Sequence, residues 1–160
     1  MKLFSYIFLL IPLLVSCQVN EELIFEENFD SETLNMASWN YDLGDGCPNL
    51  CGWGNDERQI YTKDNVALID GMLVITATKD GNRYQSGKIT TKGKFEFQYG
   101  SIEARLKVPE GQGLWPAFWM LGNDIDTNTW PACGEIDIME YVGKKPNTIY
   151  TSLHTPDSFG

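Results

Sequence analysis

The chain is poor in positive charge. Its 160 residues hold 12 Lys and Arg against 22 Asp and Glu, a net charge of -10. Such a surface repels nucleic acid and anionic lipid, so neither is expected as a partner. Histidine is scarcer still, with His154 alone. No stretch offers helical periodicity with caps, which argues against a helical bundle. Internal repeats, low-complexity runs and long linkers are missing too, so neither a solenoid nor a string of domains is expected. Disorder is equally poorly supported, because 42% of the residues are hydrophobic and 12% aromatic. What remains is one domain with a real core and a surface suited to a neutral, polyhydroxylated ligand. Aromatic rings stack on sugar faces, although most of the five Trp and seven Tyr are expected in the core.

The one long apolar run, Leu3 to Val15, is short for a membrane span and follows an early Lys2. That is the build of a secretory leader over residues 1–16. Its end, "LVSC", resembles the bacterial lipobox, in which Cys17 would become the lipid-modified first residue. A plain signal peptide cut nearby is the alternative. Residues 17–22 read as a polar tether, and the membrane is then reached only through the anchor. Cys47 and Cys51 sit in "GDGCPNLCGWGN", a tight Gly, Pro and Asn loop. A local disulfide suits an exported protein there. Two free thiols, or a zinc site with Cys133 and His154, remain open at this point. Cys133 is unpaired in the disulfide reading.

The rest of the chain reads as β-structure. "NVALIDGMLVITAT" is two apolar runs around Asp70-Gly71, a hairpin signal. "KFEFQYG" alternates, with Phe95, Phe97 and Tyr99 on one face. "SIEARLKV" also alternates, with Ile102, Ala104, Leu106 and Val108 opposite Ser101, Glu103, Arg105 and Lys107. "NTIYTSLH" is another strand-like run. Many short strands with turns between them predict an all-β, antiparallel sandwich or jelly roll. The chain stops just after "NTIYTSLH" with no closing element, so a domain incomplete at its C-terminus is expected.

"GEIDIMEYVG", residues 134–143, sets Glu135, Asp137 and Glu140 into an otherwise apolar strand. A period of two puts Glu135 and Asp137 on one face and Ile136 and Ile138 on the other. Strict alternation would send Glu140 into the core, where a lone carboxylate is costly. One extra residue, a β-bulge, returns Glu140 to the acidic face and turns Met139 away. Three carboxylates in a row raise at least one pKa, leaving a protonated acid beside an ionised base. Retaining glycoside hydrolysis uses such a pair. An acidic edge strand and a calcium site are the alternatives that the acids alone leave open.

This strand resembles the catalytic strand of glycoside hydrolase family 16, in the laminarinase-like branch with its pattern E-x-D-x-x-E. "FEENFD", "GWGNDERQIYT" and "SGKITTKGKFEFQYGSIEARLKVPEGQGLWPAFWMLG" are similar to family segments and stand in the family's order. The likeness runs over roughly residues 24–155. It implies a jelly roll of concanavalin A type, two curved antiparallel sheets with sugar bound across the concave face. It implies a catalytic domain over residues 23–160 that lacks the family's later strands. The expected activity is retaining hydrolysis of internal β-1,3 bonds, with mixed β-1,3/1,4 linkages as an extension, in glucans such as laminarin. An agarose or carrageenan hydrolase, or a non-catalytic glycan-binding protein on the same fold, is the alternative.

Carried over by position, Glu135 resembles the family's nucleophile and Glu140 its general acid/base, with Asp137 orienting Glu135. The resemblance implies that Trp115 and Trp119 line sugar subsites near the cut bond. It implies that Arg105 contacts substrate, that Asn55 sits on a cleft loop, and that His154 flanks the leaving-group side. On the residues alone, Trp119 could instead be core, Arg105 solvated, Asn55 a turn residue and His154 structural. Some family members bind a structural calcium, for which Glu26 or Glu27 could supply one ligand. The later partner would lie beyond Gly160, so no metal is assigned and no cofactor is expected to be required. The protein is expected as an exported monomer, lipid-anchored to the bacterial cell envelope or else secreted, with β-glucan as its partner.

Overall fold

The computed structural model describes residues 21–158. The leader, Cys17 and most of the 17–22 tether lie outside the described residues. Within them there is no α-helix. Short strands dominate: β1 (Asn40–Tyr41), β2 (Gln59–Tyr61), β3 (Val66–Ile69), β4 (Met72–Ile75), β5 (Thr78–Asp80), β6 (Arg83–Ser86), β7 (Ile89–Thr90), β8 (Ala117–Leu121), β9 (Glu135–Tyr141) and β10 (Ile149–His154). Two single turns of 3₁₀-helix, Cys51–Gly54 and Lys63–Asn65, punctuate them.

The strands form four small ladders: β1 with β7, β3 with β4, β2–β6–β5, and β10–β9–β8 with β9 in the middle. All pair antiparallel except β2 with β6, which run parallel. The β3–β4 hairpin forms where Asp70-Gly71 predicts it, in register Ile69 to Met72. Both turn residues take left-handed φ, +50° and +70°. Such a turn matches the right-handed twist of the strands. Buried Asn65 seals the next corner. Its amide donates to the Thr76 carbonyl (2.7 Å) and its oxygen accepts from the Thr62 hydroxyl (2.6 Å).

The segment 91–116 departs from its sequence pattern. "KFEFQYG" and "SIEARLKV" alternate as a strand should, yet neither joins a ladder. Ile102 and Leu106 stay 40% and 50% exposed, and Tyr99 83%. Alternation gives a segment two faces, but a strand also needs a hydrogen-bonded neighbour, and no described strand supplies one. Phe95 and Phe97 do pack. Phe95 stacks on Phe25 at 4.4 Å, and Phe25 meets the Trp39 ring edge-on at 6.1 Å. This aromatic cluster, not strand pairing, ties down the "FEENFD" segment. Glu27 reinforces it by accepting from Phe29 N (2.9 Å) and Trp39 Nε1 (3.1 Å). Each Glu27 oxygen thus accepts one hydrogen bond.

Candidate active site

The three acids stand on β9, the centre of its sheet. Toward β10, Glu135 lies opposite His154, Asp137 opposite Ser152, and Glu140 opposite Tyr150. Toward β8, they lie opposite Leu121, Trp119 and Ala117. Residues opposite each other across a ladder share a face, so all three acids point the same way. The register slips once between Asp137 and Glu140 on both sides. Against β8, Phe118 pairs with Met139 and Trp119 with Asp137, leaving Ile138 as the extra residue. Against β10, Ile138 and Met139 together face Thr151. This is a β-bulge, and it re-aims Glu140 onto the face of Glu135 and Asp137.

Each acid has its own surroundings. Asp137 is buried, at 5% exposure, and accepts from His154 Nε2 at 3.0 Å. His154 Nδ1 is enclosed without a hydrogen-bond partner. Burial pushes the Glu135 carboxyl above the usual carboxylate range. The charge of Asp137 and a hydrogen bond with it add to the push, while His154 and the Trp130 indole pull it back. The Trp130 ring lies 5.8 Å from that of His154. Glu140 is held from two sides. Trp115 Nε1 donates to its Oε1 (2.9 Å) and the Ser152 hydroxyl to its Oε2 (3.4 Å). Both donors are neutral groups.

The remaining candidates scatter. Trp119 shares the acidic face through its pairing with Asp137, and the Lys88 ammonium sits 5.1 Å from its ring. Lys88 also lies over Trp53 (4.3 Å) and Tyr61 (5.9 Å), and pairs with Asp42 at 3.4 Å. Asn55 closes the left-handed turn through Gly52 and Trp53. Its N–H donates to the Gly52 carbonyl (3.0 Å), and its exposed side chain reaches Glu57. Arg105 stands exposed on the unladdered 91–116 segment and makes no hydrogen bond or ion pair with a described residue. His154 sits at the Glu135 end of the row, on Asp137, rather than beside Glu140. Cys47 and Cys51 are disulfide-bonded, and Cys133 is a free thiol. A zinc site built from those cysteines is therefore absent.

Sequence reasoning missed Ser152 and Trp130. Ser152 is two residues before His154 on an alternating strand, so the period of two alone could have put it on the acidic face. Trp130 lies in the loop before β9, where no periodicity applies. Glu135, Asp137 and His154 also place three ligand atoms within 4.8 Å of one another. The set suits a small divalent cation, yet His154 Nε2 is already committed to Asp137.

A family model described as glycosyl hydrolases family 16 matches residues 54–159. The crystal structure of laminarinase from Flavobacterium sp. UMI-01 superposes with a TM-score of 0.84 at 61% identity, covering 87% of this chain and 60% of that one. Glucan endo-1,3-beta-glucosidase A1 of Niallia circulans is 41% identical over 147 residues, 82% of this chain and 22% of its own length. Beta-glucanase of Rhodothermus marinus is 38% identical over 143 residues, 84% of this chain and 48% of its own. The chain thus spans about half the length of one curated relative and less of the other.

Proposed function

The chain belongs to glycosyl hydrolases family 16, and from that membership we propose that the protein hydrolyses internal β-1,3 bonds of glucans such as laminarin, with retention at the anomeric carbon. Glu135 attacks the anomeric carbon while Glu140 gives its proton to the departing oxygen. The sugar is left esterified to Glu135. Glu140, now a carboxylate, takes a proton from water, and the hydroxide displaces Glu135 to release the product. Asp137 orients Glu135 and is itself fixed by His154. Trp115 holds Glu140 and offers a ring for a sugar beside it. The scheme requires no cofactor, since two carboxyls supply both the nucleophile and the proton.

The observation that carries this reading is the bulge at Ile138, which keeps Glu140 on the face of Glu135 and Asp137. A glycan-binding protein would have no need of such an acid/base pair. The test is the first-formed anomer of laminarin cleavage, followed by proton NMR. A β product is expected, and an α product would rule out the Glu135–Glu140 pair. Running mixed-linkage glucan, agarose and carrageenan beside laminarin separates the glucanase reading from its galactanase relatives.

We further place the protein at the cell envelope, exported and held by a diacylglyceryl group on Cys17. Support comes from the apolar leader ending in "LVSC". Mass spectrometry of the mature N-terminus should find the lipid, and an unmodified terminus released to the medium would refute it.

A further inference from the structure

Beyond Glu140 the acidic row gives way to positive charge. A groove of about 350 Å³ opens there, lined by Trp115, Glu140, Lys144, Lys145, Tyr150 and Ser152. That is the size of a small-ligand site. Its floor is fixed. The turn after β9 is closed by Lys145 N donating to the Val142 carbonyl (2.8 Å), and Gly143 N donates to the Leu114 carbonyl (2.9 Å). Gly143 packs so tightly that a β-carbon there would come within 1.7 Å of the Gly111 carbonyl oxygen. The two lysines are thereby pinned beside the stretch that carries Trp115. Lys145 Nζ lies 5.6 Å from the Tyr150 ring centroid, over its face.

Lys144 and Lys145 stand side by side in a chain poor in positive charge. Acids outnumber bases 22 to 12. Neither Lys144 nor Lys145 has a carboxylate partner among the described residues, as is true of most described lysines; Lys88 and Lys92 are the ones paired, with Asp42 and Asp126. Two adjacent ammonium groups are thus left unneutralised at the edge of a groove whose other end is a carboxyl. Glu140 faces the departing oxygen, so the sugar residues this groove can reach are those on the leaving side of the cut bond.

We propose that the groove is a binding subsite for a sugar residue carrying an anionic substituent, a carboxylate or a sulfate ester, on the leaving-group side of the bond. This rests on the hydrolytic roles given above to Glu135 and Glu140. Tyr150 and Trp115 supply flat faces for the ring, Ser152 a hydroxyl, and Lys144 and Lys145 the counter-charge. A neutral sugar would use the rings and leave the ammonium groups in water. The substrate class sharpens accordingly: a β-glycan that bears scattered negative charge should be turned over better than its neutral backbone.

The test compares kcat/KM for laminarin and for carboxymethylated laminarin of the same length, at low and high salt. The wild-type protein should prefer the charged polymer, and the preference should shrink as salt screens it. Lys144→Gln/Lys145→Gln should lower the charged-to-neutral ratio by roughly 3- to 10-fold, the effect of losing two exposed charge pairs. Lys79→Gln, on β5 away from the groove, should leave the ratio where it was. A ratio unmoved by the double substitution would overturn the proposal. If neither polymer is cleaved, the hydrolase reading fails, and calorimetric titration with a carboxymethylated oligosaccharide decides the groove on its own. Binding by wild type that is lost in Lys144→Gln/Lys145→Gln supports it. No binding, or equal binding by the two proteins, overturns it.

Discussion

The two ends of β9 carry the same side chain in different surroundings. Glu135, at one end, is half-buried among Asp137, His154 and Trp130, and its carboxyl is pushed above the ordinary range. Glu140, at the other, is held by Trp115 and Ser152 and opens onto a groove with two lysines. Between them lies one extra residue, Ile138. The contrast teaches that a row of acids becomes a pair with separate tasks through what stands around each carboxyl, not through residue type. The enclosed end sets the pH at which the proposed nucleophile ionises. In the proposed reaction, the open end is where the departing sugar sits.

The hardest test of that division removes each carboxyl in turn. Glu135→Ala should abolish turnover, and azide in its place should give a glycosyl azide of inverted configuration. Glu140→Ala should slow substrates with poor leaving groups by about 10²–10⁴-fold, the usual worth of acid–base assistance, and activated aryl glycosides much less. Kinetics on a leaving-group series reads both. If the two variants respond alike to leaving group and azide, the ends of β9 are not functionally distinct.

A smaller loss should follow from changing what sets the spacing of the two ends. Deleting Ile138 restores regular alternation, which leaves Glu140 on the face of Glu135 and Asp137 but moves it one residue nearer to Glu135 along the strand. Activity should fall by at least about 10²-fold, through loss of proton transfer. Circular dichroism should still report β-structure. Full activity in the deletion variant would show that the bulge is incidental.

This bulge was legible in the sequence, because E-x-D-x-x-E among apolar residues admits few other solutions. Legible too were the β3–β4 turn, the strand at β10 and the all-β class, each written in a period of two or in Asp-Gly. Arg105 shows the limit. Its segment alternates as cleanly as β9, yet lies outside every ladder, since a periodicity records faces and not partners. His154 shows another. Its residue type was noted, but its seat on Asp137 depends on how β10 registers against β9, which a single strand does not encode. Lys144 and Lys145 drew no attention at all. A pair of lysines in a turn is ordinary until the groove beside them is seen.

The pH dependence offers a gentler probe of the enclosed end. His154 lowers the pKa of Glu135, working against burial and Asp137. His154→Gln keeps an amide donor for Asp137 and removes the imidazole that favours the Glu135 carboxylate. Glu135 should then hold its proton to higher pH. The acid limb of the kcat/KM profile should move upward, with the rate at the optimum falling only a few-fold. An unmoved acid limb would mean that His154 acts on Asp137's position alone.

The smallest effect should appear in stability rather than in rate. A carboxyl whose pKa is raised by folding binds its proton more tightly in the folded state than in the unfolded chain. Its contribution to stability is present below the ordinary carboxylate pKa and is lost as pH rises through the raised folded value. At neutral pH Glu135 is therefore ionised at a cost, beside Asp137 and partly out of water. Glu135→Gln removes that charge, keeps nearly the same shape and retains an oxygen for Trp130. Its Tm should exceed the wild type's by a few degrees at about pH 7, and the gain should vanish as pH falls to about 4, where the wild-type carboxyl is itself neutral. The matching change at the open end, Glu140→Gln, should bring no such gain, because the Glu140 carboxylate already accepts hydrogen bonds from Trp115 and Ser152. Thermal melts of the two variants across pH test this directly. A Glu135→Gln protein no more stable than wild type at neutral pH would mean that the enclosed end is not strained by its charge, and that the two ends of β9 differ in contacts alone.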